Sequence, residues 1–141
     1  MKKKLKTGKS LSKYLDNLVR KIFKLKYGTN PHCFVCGRFD GWFSSKTCPN
    51  GIQVGHYISR RWNILRWDLK NVFPQCSGCN RVHNQNPAPF TLAIIAKYGK
   101  KRIEYLQDKV KQGRGSKVPV SRIREIQADL EKDIKSLTNG S

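Results

Sequence analysis

Residues 72–80 read VFPQCSGCN, and residues 33–36 read CFVC. Between them they carry two Cys-x-x-C knuckles, Cys33 with Cys36 and Cys76 with Cys79. Two residues between cysteines let backbone amides turn toward both sulfurs. Two such pairs supply four thiolates, enough for one closed tetrahedral zinc site. The rival reading is two unrelated reduced pairs or a redox pair, and nothing nearby resembles a thioredoxin context. The 39 residues between the knuckles exceed what a simple zinc ribbon needs. Something is therefore built between the two halves of the metal site. A polar, loop-rich segment of this kind cannot bury enough apolar area to fold alone, and zinc would supply the missing stability. Cys48, the odd cysteine, reads as a free thiol and not a ligand.

Charge is the second signal. The 141 residues include 29 Lys and Arg against 9 Asp and Glu, a formal charge of +20. Such a chain attracts polyanions, and nucleic acid is the default partner. A ribosomal protein or a membrane-surface binder would share that composition. No apolar run is long enough to span a bilayer, and no apolar h-region follows the basic MKKKLKTGKS start. The expected compartment is a reducing cytoplasm, where five cysteines suggest metal before disulfides.

The length predicts one domain over residues 10–141, preceded by a basic arm at 1–9 that is disordered or lies on nucleic acid. Leu11, Leu15, Leu18, Val19, Ile22 and Phe23 recur at helical spacing. With Ser10 as a start signal and Gly28 as a stop, they predict a helix over about 11–26. Across 29–86 helical periodicity gives way to Gly, Pro, Asn, Cys and aromatic residues. There GWFSSKTC (41–48) and IQVGHYIS (52–59) read as two strands joined by the turn Pro49–Gly51. A helix starting near Ser77 carries Cys79, Asn80 and His83, and Pro87 and Pro89 end that element. Over 87–141, FTLAIIAKYG and KKRIEYLQDKVKQG read as helices ending at Gly99 and near Gly113. A last helix from Ser121 shows the stripe Ile123, Ile126, Leu130, Ile134, Leu137. The three-helix tail is expected to pack on the first helix. The fold class is α+β, a small zinc-bound core flanked by helices.

The order of parts is C-x-x-C, a strand carrying His56, Asn71 in a loop, then C-x-x-C-N on a helix. This order resembles the HNH, or ββα-metal, nucleases. The stretches GHYISR (55–60), LRWDLKNVFPQCSGCN (65–80) and AIIAKYGKKRIEYL (93–106) more closely resemble the phage NinG/Rap family of recombination endonucleases. The likeness covers roughly Cys33 to Asp108. It implies that His56 is the general base and that Asn71 holds the loop and orients it. It implies that Asn80 is a ligand of a catalytic Mg²⁺ or Mn²⁺, with His83 a second ligand or a phosphate contact. It also implies substrates that are branched or partly single-stranded DNA, of the Holliday-junction or D-loop type. A homodimer would suit a four-way junction.

The chemistry is coherent in itself. A histidine is partly neutral at pH 7 and can accept a proton from water. A hard cation favours the carbonyl of an asparagine over a thiolate. Many HNH proteins place an aspartate directly before the base, and here that residue is Gly55. Gln53 points to the same side but is uncharged, and Asp40 and Asp68 are the nearest carboxylates in sequence, with Asp68 the better candidate for the catalytic metal. Arg60 or Arg61 would clamp the scissile phosphate through a guanidinium fork. Lys70 and Arg81 are further DNA-binding candidates, and Lys2, Lys3, Lys4, Lys97, Lys100 and Lys101 form a diffuse phosphate field. Trp62 and Trp67 read as core residues, with base stacking as the alternative, and His32 reads as structural. The rival functions are a non-catalytic zinc-dependent nucleic-acid-binding protein and a ribosome-associated zinc protein.

Overall fold

The computed structural model describes residues 8–61, 63–113 and 117–139. Residues 1–7 of the lysine arm and Trp62 lie outside the described residues, and Gly8 and Lys9 belong to the first helix. In chain order the elements are α1 (Gly8–Tyr27), β1 (Gln53–His56), α2 (Asn63–Arg66), β2 (Val72–Gln75), α3 (Ser77–His83), α4 (Ala88–Tyr98), α5 (Lys100–Gly113) and α6 (Val120–Asn139). The class is α+β, as the sequence predicts. Among the described residues no helix is long and apolar enough to cross a membrane.

The helices follow their apolar stripes. All six stripe residues of α1 are buried, from Leu11 to Phe23. They pack with Trp67, Val72 and Leu130 of α6, and with Val54, Ile123, Ile126 and Ile134 at the margin. Of the tail, α6 lies along α1, whereas α5 packs on α4 and α2. The expected packing of all three tail helices on α1 thus holds for α6. Gly28 ends α1 with φ +76° and its N–H on the carbonyl of Lys24, and Gly99 ends α4 with φ +82°. Both are left-handed positions that glycine adopts without steric cost. Pro87 and Pro89 open α4, since α3 already stops at His83.

The strand pairing differs from the sequence expectation. GWFSSKTC makes only isolated bridges, Trp42 with Ile52 and Ser44 with Cys48. The partner of β1 is β2, antiparallel, with Gln53 opposite Gln75, Val54 opposite Pro74, Gly55 opposite Phe73 and His56 opposite Val72. Burial decides the competition. Every β2 side chain is buried, whereas Phe43 in the rival segment is 49% exposed. Val72 faces the α1 cluster, and Phe73 faces Phe90 and Ile94 of α4. Pro74 has no N–H to give, and its carbonyl accepts from Phe34 N–H at 2.7 Å on the strand's free edge.

Residues 57–71 thus form the hairpin connection, and Asn71 closes it. Asn71 is fully buried. Its Oδ1 accepts from Ile58 N–H at 2.8 Å, and its Nδ2 donates to the carbonyls of Ile58 and Leu65 at 3.0 and 3.1 Å. From outside, Asp16 of α1 holds the same loop. Arg66 donates twice to its carboxylate, at 3.1 and 2.7 Å, and Trp67 Nε1 donates at 2.8 Å. Burial pushes the Asp16 pKa up, but the bonds from Arg66 and Trp67 outweigh it and leave the carboxyl below its ordinary value.

Asp16→Ala is expected to cost about 1–3 kcal/mol in chemical denaturation, because it strands a guanidinium whose side chain is only 18% exposed. Breaking the exposed Arg122–Glu125 pair with Glu125→Ala should stay within about 0.5 kcal/mol. Because the folded carboxyl titrates below its unfolded value, the Asp16 contribution is present above the ordinary carboxylate range. It is lost as pH falls through the folded value. Equal losses for the two variants would disprove the special role of Asp16.

Candidate metal centre and active-site cavity

The two knuckles meet. The sulfurs of Cys33, Cys36, Cys76 and Cys79 all lie within 4.8 Å of one another, and Cys36 and Cys76 are 3.8 Å apart. A tetrahedral ion with Zn–S bonds of about 2.3 Å requires sulfur separations of about 3.8 Å. The cluster could therefore hold a metal ion, and its dimensions suit zinc. The first knuckle is a turn held by Cys33 N–H to the carbonyl of Arg38 and Gly37 N–H to the carbonyl of Cys33. The second is the start of α3, where Cys79 N–H donates to the Cys76 sulfur at 3.4 Å. Burial raises the Cys33 thiol, but backbone bonds from Cys36, Cys76 and Val35 outweigh it and bring its pKa to about 7. Burial and the neighbouring Cys76 and Cys33 push Cys79 strongly upward. Crowded thiols that resist losing their protons together are relieved by a cation among them. Cys48 stands apart, 3.5 Å from Asp40 Oδ1.

Next to this cluster a cavity of about 700 Å³ opens between α1, β1 and α3. His56, Asn80, His83 and Arg60 line it, together with Asp16 and Arg66. Four of the sequence-predicted site residues thus share one space. Asn71 is not in that lining and acts through the loop it closes. Arg61 and Arg81 are exposed and outside the lining. Asp68 is turned away. It accepts from Tyr105 at 2.5 Å and lines a separate hollow of about 200 Å³, and the Lys70 ammonium sits 4.5 Å over the same Tyr105 ring. Neither Asp68 nor Lys70 belongs to the His56 cavity. Asp40 is paired with Arg38.

His56 is half-buried at the end of β1, with Nε2 2.9 Å from the carbonyl of Arg66. A neutral ring bonded this way donates from Nε2 and keeps its lone pair on Nδ1. Its pKa is lowered first by burial and further by the charges of Arg60 and Arg66, against opposing pulls from the Arg66 carbonyl and Asp16. His83 is built alike. Its Nε2 is 2.7 Å from the carbonyl of Tyr57, its ring packs on Tyr57 and Phe90, and its Nδ1 is buried without a partner. A backbone carbonyl on one ring nitrogen, with the other left bare, is the arrangement of a metal-ligating histidine. Asn80 Nδ2 is 3.5 Å from Gln53 Oε1, and both line the cavity.

Sequence reading missed Asp16 and Arg66. The available signal was the lone carboxylate in a helix otherwise rich in cations.

A family model described as Bacteriophage Lambda NinG protein matches residues 1–140, so the chain belongs to the NinG family. No curated protein and no solved structure matches it.

The purified chain is expected to carry about one zinc per molecule by native mass spectrometry. Removing it with a strong chelator, or introducing Cys76→Ser, should abolish the near-UV circular dichroism of the aromatic residues around the cluster. An unchanged spectrum after verified metal removal would show that the cluster is not structural.

Proposed function

We propose that this NinG family member is a metal-dependent DNA endonuclease of the HNH type, acting on branched or partly single-stranded intermediates of phage recombination. The observation that carries this reading is His56: an imidazole whose pKa burial lowers, held by a backbone carbonyl, in one cavity with Asn80, His83 and Arg60. Further support comes from the order of parts. β1 ends in His56, the loop is closed by Asn71, and β2 leads through Cys76 and Cys79 into α3 with Asn80 and His83. In this reading the four cysteines bind zinc for the fold, and the reaction uses a different site.

His56 accepts a proton from water at Nδ1 as the water oxygen bonds to phosphorus, and the bond from phosphorus to the leaving sugar oxygen breaks. The bond from Nε2 to the Arg66 carbonyl keeps the ring oriented through this transfer. Arg60 balances charge on the phosphate, and the leaving oxygen takes its proton from solvent. Asn80 and His83 would hold Mg²⁺ or Mn²⁺, which when bound supplies positive charge against the phosphate and the leaving oxygen. The basic surface attracts the backbone of any DNA, and cleavage preference for branches follows from shape, not base readout.

With Mg²⁺ or Mn²⁺, the wild type should nick DNA or cut junctions, and His56→Ala should lose about 10²–10⁴-fold in rate while retaining DNA binding. A protonated ring cannot accept a proton, so activity should fall as pH drops. Because the His56 pKa is depressed, the midpoint should lie below the ordinary histidine value of about 6.5. If His56→Ala cuts normally, His56 is not the base. If zinc-loaded wild type cuts no form of DNA, the chain is a non-catalytic zinc-dependent nucleic-acid-binding protein.

A further inference from the structure

Among the described residues only three buried side-chain nitrogen or oxygen atoms lack a hydrogen-bond partner: Nδ1 of His83 and both amide atoms of Gln75. Gln75 is fully buried. An amide taken out of water with neither end satisfied is costly, and native structures explain such groups by a water or an ion. The backbone is shaped to admit this one. Position 55 carries no side chain, and a Cβ there would overlap the Gln75 amide oxygen and come within 2.9 Å of the Gln75 Cβ. Gly55 and Gln75 are thus a fitted pair.

The ladder shows what surrounds the amide. Gln75 is directly opposite Gln53, so both side chains leave the same face of the sheet. Gln53 Oε1 lies 3.5 Å from Asn80 of α3. His83, one turn further along α3, packs on Phe90, which packs on Phe73, the ladder partner of Gly55. Gln53 thus meets Asn80, the unpartnered Gln75 amide leaves the same face of the sheet as Gln53, and the bare Nδ1 of His83 lies one turn along α3 from Asn80. Oxygen donors with a single nitrogen suit Mg²⁺ or Mn²⁺. None is charged. Asp16 is the only carboxylate lining the cavity, and it is committed to Arg66 and Trp67.

We propose that Gln75, with Gln53, Asn80 and His83, forms a divalent-cation site built from neutral ligands, and that the negative charge it lacks is supplied by the DNA phosphate. Cation and DNA then bind together. Ligand charge sets cation affinity, so the free protein, at +20 overall, holds the ion weakly. A phosphate in the cavity adds the missing charge, and by reciprocity the cation tightens DNA equally. The inference rests on the nuclease reading for the identity of the anion, and it adds Gln75, which that reading did not use.

The test uses zinc-loaded full-length protein carrying His56→Ala, so that DNA stays intact. Mn²⁺ is titrated by electron paramagnetic resonance, without and with a saturating four-way junction. The junction should tighten Mn²⁺ by about tenfold or more. Gln75→Met, similar in shape and unable to ligate through oxygen, should weaken Mn²⁺ in the complex by about tenfold or more while zinc content is unchanged. Gln75→Glu should bind Mn²⁺ without DNA. Unchanged Mn²⁺ binding in zinc-replete Gln75→Met, or equal affinity with and without DNA, overturns the proposal. If Gln75→Met does not fold, the exchange Gly55→Asp with Gln75→Ala decides. It returns a carboxylate to the same space and should tighten Mn²⁺ in the free protein, and no gain overturns the proposal. Wild type that binds Mn²⁺ with DNA yet never cuts ends the nuclease reading and leaves the site standing. Wild type that cuts while Gln75→Met binds Mn²⁺ normally does the reverse.

Discussion

The edge of a two-stranded sheet has to be covered, and here the first cysteine knuckle covers it. Phe34, between Cys33 and Cys36, donates its N–H to the carbonyl of Pro74, while the sulfurs on either side reach those of Cys76 and Cys79. An isolated hairpin of four-residue strands is marginal in water. Two covalently distant segments meeting at one sulfur cluster turn that hairpin into a platform. Everything catalytic in the proposal depends on it: β1 delivers His56, and α3, which begins inside the second knuckle, delivers Asn80 and His83.

The hairpin loop is the second requirement, and it is held from two directions. Asn71 satisfies its whole side chain on Ile58 and Leu65, using one acceptor and both donors. Asp16 reaches it from α1 across about fifty residues of sequence, binding Arg66 and Trp67. Arg66 has two roles. Its guanidinium is neutralised by Asp16, and its carbonyl fixes His56. The amphipathic helix that forms most of the largest core cluster thus also sets the angle of an imidazole in a cavity it borders, linking stability to site geometry through one residue.

How much of this could be read in the sequence follows from how local each signal is. The stripes of α1 and α6 and the stop at Gly28 depend on neighbours within one turn, and they were legible. The knuckles were legible because ligand spacing is itself local. Strand pairing was not. The partner of β1 lies beyond a fifteen-residue connection, and Pro74 argues against a strand unless one knows that its edge faces Phe34. His56, Asn80, His83 and Arg60 line one cavity, brought there by the hairpin and by the start of α3 at the second knuckle. Asp68 does not join them, because Tyr105 of α5 captures its carboxylate, a contact 37 residues away. Gln75 is the extreme case, since only the absence of a side chain at Gly55 reveals its place.

Charge and chemistry are kept apart in this molecule. A formal charge of +20 spread over the helices and loops brings polyanions close from any direction, an effect that salt screens within about 10 Å. A proton acceptor, however, must arrive neutral. Burial depresses the pKa of His56, and the charges of Arg60 and Arg66 push it the same way, so the attractive field does not favour protonation of the ring. A carboxylate beside His56 would undo this by stabilising imidazolium, and Asp16 is prevented from doing so fully because its charge is spent on Arg66 and Trp67. The same reasoning gives a physical basis for amides in place of carboxylates in the proposed cation site. In the proposed cation site, neutral ligands would leave the potential near His56 positive until a phosphate entered, so the site would reach its working charge only with DNA bound.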